Sequence, residues 1–167
     1  MPASTTKKAV IRRFEKESLA GYVNPVSYLQ ITGIELLTAQ GNVTVVPYPE
    51  VKLVAFVRDL ENAAEAGRQL FQNRPKMEGL WVSFEYRDGE VMEGVMPNNL
   101  LQIDMHGFTV IPPDPFGNTQ RVFIPRMALR AVQVLGVVGS PLKKRRARLV
   151  PKEPPEELPG KLRLEDL

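Results

Sequence analysis

The side chains with scope for chemistry are few and scattered. The one histidine, His106, stands in the turn Asp104-Met105-His106-Gly107. A metal centre or a general base needs several such groups converging. Asp104 alone beside His106 reads as a solvated turn, with no metal site. Glu85, Asp88, Glu90 and Glu93 form an acid-rich stretch. Paired carboxylates could share acid-base work, but these alternate along a hairpin and read as a solvated face. No Gly-x-Ser-x-Gly, Gly-x4-Gly-Lys-Ser/Thr or His-Glu-x-x-His pattern occurs. The chain has no cysteine, which excludes thiolate chemistry and disulfides and suits a reducing cytoplasm. The expectation is therefore no enzyme and no cofactor.

One charged cluster has clear binding chemistry. KKRRAR, residues 143–148, places Lys143, Lys144, Arg145, Arg146 and Arg148 within six positions. Such a knot attracts nucleic-acid phosphates, acidic lipid headgroups or an acidic protein surface, without sequence specificity. Residues 1–142 hold 14 Lys+Arg and 14 Asp+Glu, leaving 8 and 5 of the chain's 22 and 19 for residues 143–167. The body is neutral, and the pI near 9.3 belongs to an appendage. From residue 140 the chain is Pro-rich, charged and poor in aromatics, a composition that does not fold alone.

The elements that would carry any site come from an internal repeat. Gly21 on Gly94, a shift of 73, lays VIRRFEKESLAGYV on SFEYRDGEVMEGVM, with Ile11 on Phe84 and Glu15 on Asp88. LQI at 29–31 recurs at 101–103, and Gly33 matches Gly107. Pro47 on Pro125, a shift of 78, lays VTVVPYPEVKLVAFV on RVFIPRMALRAVQVL. The added residues of the second copy fall mostly in PPDPFGNTQ, a loop by composition. Each copy reads as about five short strands; LLQIDM (100–105) is one of them, and ALRAVQVL closes the second copy. Mid-strand Gly21 and Gly94 mark a sharp bend or a close backbone approach. Lys16 replaces the turn glycine at 89, which predicts a looser first hairpin. The Ala/Glu/Leu content of 60–72 predicts a helix that Pro75 ends, its small apolar face packed inside.

VSFEYRDGEVMEGVM followed by RVFIPRMALRAVQVL resembles the Sm-like branch of SH3-type small β-barrels. With PPDPFGNTQRVF, the duplicated chain over about residues 9–137 also resembles an uncharacterised bacterial family of paired modules. The resemblance implies a mainly β fold with two tandem small barrels. Module 1 spans 1–58, a helical linker 59–79, module 2 80–139, and an extended basic, Pro-rich tail 140–167. Sm-like proteins bind RNA through two loops. The resemblance places Asn98 or Asn99 in the first loop and Arg126 in the second, although Met127 stands where a glycine is expected. Arg126 and Arg130 also resemble the basic half of a cyclic-dinucleotide site, without its Asp-x-Ser-x-x-Gly companion.

These readings converge on a non-catalytic interaction or scaffold module. It would be a peripheral subunit of a larger assembly, docked through its tail, with strand edges open to an added strand. The alternative is an RNA- or DNA-binding protein using the loops and KKRRAR. No 18-residue apolar run occurs and the N-terminus lacks a secretory apolar core. The expected location is the cytoplasm, with acidic membrane surfaces open to the tail.

Overall fold

The computed structural model describes residues 6–63 and 67–139. The chain is mainly β, with ten antiparallel strands: β1 (Lys7–Arg13), β2 (Leu19–Val23), β3 (Gly33–Thr38), β4 (Val43–Pro47), β5 (Val51–Val57), β6 (Gly79–Tyr86), β7 (Val91–Met96), β8 (Gly107–Val110), β9 (Thr119–Pro125) and β10 (Leu129–Val138). Short 3-10 turns at Tyr48–Glu50 and Arg126–Ala128 join β4 to β5 and β9 to β10. Each turn follows a proline, Pro47 or Pro125, whose fixed φ suits the corner.

One sheet runs β4-β3-β2-β1-β5-β9-β8, and a second runs β10-β6-β7. Among the described residues the two meet at a bridge between Val95 and Ile111. There, Val95 N–H donates to Ile111 O at 3.0 Å and Ile111 N–H to Val95 O at 2.8 Å.

Pairing within the two halves repeats in register. Ala9 faces Gly21 as Val82 faces Gly94. Ile11 faces Val54 as Phe84 faces Val132. Gly33 faces Pro47 as Gly107 faces Pro125. Tyr22 faces Leu37 as Val95 faces Ile111. The matched residues stand at shifts of 73, 74 and 78, the small differences falling in the loops between strands.

The expected closed barrels are absent from the described residues: the sheets are open. The outer edge of β5 takes β9 of the other half, with Val54 opposite Phe123 and Ala55 opposite Val122. Strand β4 pairs with β3, and β10 with β6, each ending its sheet. Neither half closes on its own interior.

The core divides accordingly. Val10, Leu53, Ala55 and Val57 join Val82, Phe84, Tyr86, Val122 and Ile124 in one cluster. Ala9, Ile11, Ile34, Leu36 and Val54 join Phe123 in the other. Strands β1, β5 and β9 are a shared wall with alternate side chains facing opposite cores. That accounts for the nearly continuous apolar run VKLVAFV of β5, since a strand buried on both faces has no solvent side to make polar.

The helix expected over 60–72 is corrected as well: among the described residues the only helical elements are 3-10 turns. Leu60 and Ala63 pack on the first core from a turn. Residues 67–71 lie along β7, where Glu93 N–H donates to Gln69 O at 2.8 Å. The carboxylate Oε2 of Glu93 accepts from Phe71 N–H at 3.2 Å and from Trp81 Nε1–H at 3.0 Å. These tertiary bonds draw the backbone N–H of Phe71 and the C=O of Gln69 away from a helical ladder, which helix propensity alone does not prevent. The expected strand over LLQIDM is a 3-10 turn at Leu100–Gln102, capped by the Asn99 side chain.

Mid-strand Gly94 is a close approach. A methyl group there would lie 2.7 Å from Val110 Cγ2 and 2.9 Å from Val110 Cβ. At Gly21 it would overlap the backbone carbonyl of Leu37. In the first hairpin, which lacks the glycine, Glu15 adopts φ 57°. That left-handed conformation is uncommon outside glycine and Asn/Asp. Gly89 takes φ 93° in the corresponding second turn.

Candidate functional site

Several titratable residues of the described body are drawn into structural contacts. Lys52 Nζ lies between Asp88 Oδ2 at 2.7 Å and Glu90 Oε2 at 2.5 Å. It also sits 5.0 Å from the Tyr86 ring centroid and 5.8 Å from that of Phe14. The Lys52 side chain is only 13% exposed. Burial alone would lower its pKa, but the hydrogen bonds to Asp88 and Glu90 outweigh burial and raise it. Burial would raise Asp88, and the bond from Lys52 with backbone N–H donors holds it below the ordinary carboxylate range. Burial first, then the Glu90 and Asp88 carboxylates, push the Tyr86 phenol upward. The cluster ties β5 to the β6–β7 turn. Arg87 adds to the tie, lying 4.0 Å from the Phe14 ring centroid and donating to Pro49 O at 2.5 Å.

Asp88 and Glu90 are exposed, as expected of a solvated face, but the acid stretch is also engaged in contacts. Glu85 pairs with Arg130, Asp88 and Glu90 hold Lys52, and Glu93 anchors the 67–71 segment. A second polar clamp joins Asp59 to Asn118. Asp59 N–H donates to Asn118 Oδ1 at 2.9 Å, and Asn118 Nδ2 donates to Asp59 O at 2.9 Å. It fastens the end of the first half to the PPDPFGNTQ loop.

His106 is half-buried and stacked on Tyr48, ring centroids 4.9 Å apart and planes at 14°. Its backbone N–H donates to Asp104 Oδ1 at 2.8 Å, an Asx turn. Burial, and then the Asp104 charge, push the Tyr48 phenol up to about 12. Its O–H donates to Gln30 O at 2.6 Å. The histidine thus bridges the two halves and is not the solvated residue its turn suggests. Among the described residues no group of three or more His, Asp or Glu could hold a metal ion.

The expected loop-binding residues separate in role. Asn98 is exposed in the β7–β8 loop. Asn99 Oδ1 accepts from Leu101 N–H at 3.1 Å and caps the 3-10 turn. Arg126 meets the far end of that loop, where its N–H donates to His106 O at 2.9 Å. Its guanidinium carbon lies 5.1 Å from the Phe108 ring centroid. Lys143, Lys144, Arg145, Arg146 and Arg148 lie outside the described residues, as does the tail from residue 140.

A cleft of about 270 Å³ opens beside the 67–69 segment, lined among others by Arg12, Leu53, Ala55, Met92, Asp114 and Val122. The other prominent surface is apolar. Leu100, Leu101 and Met105 on the β7–β8 loop are 76%, 95% and 79% exposed, and Met127 beside Arg126 is also exposed. The sequence carries this signal as an unbroken Leu-Leu after Asn-Asn, which period-two reading misassigns to a strand.

With this geometry in view, the comparison with known families is specific. The model of a family of unknown function, DUF6982, matches residues 5–136. The chain belongs to DUF6982. No curated protein and no solved structure matches the chain. The DUF6982 match takes in β1 to β9 and most of β10 and stops before KKRRAR. No helix among the described residues is long and apolar enough to cross a membrane.

Proposed function

We propose that this DUF6982 chain is a non-catalytic interaction module, a peripheral component of a larger assembly. The observation that carries this is the division of its surface chemistry. Lys52, Asp88, Glu90, Glu93, Asp59 and Asn118 are used to fasten the fold, while Leu100, Leu101 and Met105 stand out on one loop. Exposed apolar residues gathered in one place mark contact surfaces. In this reading the loop supplies the desolvated centre of a protein contact. The cationic tail supplies a salt-sensitive second attachment, to an acidic protein or to acidic lipid headgroups.

The test is capture from native lysate by the full chain, by L100D/L101D, and by a chain ending at 142. The reading expects a defined protein set that both changes diminish. It fails if nuclease treatment removes everything captured, or if neither change alters what is captured. A second reading, an RNA- or DNA-binding protein, is favoured by the five cations of 143–148. It expects generic RNA binding by the full chain that weakens steeply with salt. Binding retained by residues 1–142 would implicate the Asn98, Asn99 and Arg126 loops. Loss of binding in that chain would assign it to the tail.

A further inference from the structure

Among the described residues one strand pairing joins the two halves, and the same pairing is left unmade at the outer strands of both. In the junction, β5 of the first half pairs with β9 of the second. Val54 lies opposite Phe123, Ala55 opposite Val122, and Phe56 opposite Arg121. The repeat equates β5 with β10 and β9 with β4, both at the same shift of 78. The observed registers support that equivalence, since Ile11 faces Val54 as Phe84 faces Val132. The first half therefore presents a free β4 where the second half presents the paired β9. Among the described residues the second half presents a β10 with no strand on its outer edge where the first presents the paired β5; Arg74 donates to Val137 O at 2.6 Å, beyond the Val132–Val134 stretch.

Burial follows the pairing. Val54 and Phe123 are both fully buried at the junction, at 0%. Their counterparts Val132 and Val45 are 44% and 43% exposed. Val57 is 7% exposed, and its counterpart Leu135 is 41%. Val134 and Val43, the counterparts of Phe56 and Arg121, are 56% and 64% exposed. Edge strands are ordinarily guarded by lysines, prolines or inward charges. Here β10 is ten residues long with one charge, Arg130, near its start, and β4 carries none before Pro47.

The geometry points to head-to-tail self-association: β10 of one chain adds to β4 of a second copy and repeats the internal β5–β9 junction. The register is fixed by the repeat. Val132 would lie opposite Val45, Gln133 opposite Thr44, and Val134 opposite Val43. The contact is heterologous, because the two edges are different strands. It generates a ring if the rotation closes and an open chain if it does not. This goes beyond the interaction-module reading and stands whichever ligand the tail takes.

The chain has no cysteine, so introduced thiols report cleanly. Full-length T44C and Q133C are mixed under mild oxidation, with each alone as control. Opposed residues of an antiparallel pair bring their Cβ atoms within reach of a disulfide. A covalent dimer in the mixture, well above either variant alone, is expected. Sedimentation of the cysteine-free chain should show concentration-dependent oligomers. V134K, which places a charge in the contact, should weaken them at least about tenfold while leaving the circular dichroism of the fold intact.

Three results would overturn the inference. One is equal or stronger cross-linking of either single variant with itself, which means like edges meet. Another is an intramolecular disulfide in T44C/Q133C, which means one chain closes on itself. The third is a monomer at all concentrations with slowly exchanging β10 amides, which means another segment already covers that edge.

Discussion

Replacing Gly94 with alanine tests the close approach of β7 and β8 that joins the two sheets. The new methyl would lie 2.7 Å from Val110 Cγ2, and Val110 is 1% exposed with no solvent to retreat into. Overpacking of this kind costs about 1–3 kcal/mol. Removing a glycine from a strand returns about 0.5–1 kcal/mol. The net expectation is a loss of roughly 0.5–2 kcal/mol, or a melting point lower by roughly 2–8 °C. The nearest obstacle is a side-chain methyl, so V110A should relieve part of it, leaving Val110 Cβ at 2.9 Å from the new methyl. The double variant should then be more stable than the sum of the two single losses by about 1 kcal/mol. At Gly21 the obstacle is the carbonyl of Leu37, and no side-chain truncation can relieve G21A. Urea denaturation followed by circular dichroism, with unchanged m-values, measures all of these. A neutral or stabilising G94A, or strict additivity with V110A, would refute the reasoning.

Three further outcomes follow from the contacts. K52M leaves Asp88 and Glu90 without their shared cation and should cost about 1–2 kcal/mol, read from chemical denaturation at neutral pH; an unchanged midpoint would show the cluster to be incidental. The cluster also sets a pH window. Asp88 is depressed below its ordinary 3.8, so its contribution is present above that value and fades as pH falls through the folded pKa; Lys52 is raised above its ordinary 10.5, so its contribution is present below that value and fades as pH rises through the folded pKa. Compared with the native chain, K52M should flatten both limbs of a stability–pH curve. E93L removes the acceptor shared by Trp81 and Phe71, and the emission of the single tryptophan should shift while β-sheet circular dichroism is kept; identical emission would mean the 67–71 segment is held by other contacts. Deleting 143–167 should change the melting temperature little, and a fall of more than several degrees would make the tail part of the fold.

Several strand positions were legible in the sequence because they fall where only certain residues fit. Gly21 and Gly94 sit where another strand passes too close for a side chain. Pro47 and Pro125 each precede the 3-10 turn that starts the last strand of a half. Aligning those residues recovers the strand registers. The way the halves join was not legible. Strand β5 is apolar on both faces whether its outer edge takes its own β4, closing a barrel, or the other half's β9, opening a sheet. The choice depends on distant pairing that no local pattern encodes. The helix expectation failed for a related reason. The composition of 60–72 favours a helix, but Glu93, far along the chain, offers its carboxylate and its N–H to that segment. The same residue was read as part of a solvated acidic face, because alternation shows which side of a strand a residue takes and not what crosses over it. Of the candidate site, Asn98, Asn99 and Arg126 were assigned to loops through the Sm-like resemblance, and they lie outside the strands. The structural engagement of Asn99, His106 and Lys52 was not, since each depends on a partner placed by the tertiary fold.

The account turns on β5 and β9 being adjacent strands of one sheet. Nuclear Overhauser contacts between the backbones of Ala55 and Val122, and of Val54 and Phe123, test this most directly. They should be present together with the Val95–Ile111 contacts. Their absence, in a protein that still shows the β1–β5 and β8–β9 contacts, would mean that the halves do not share a sheet.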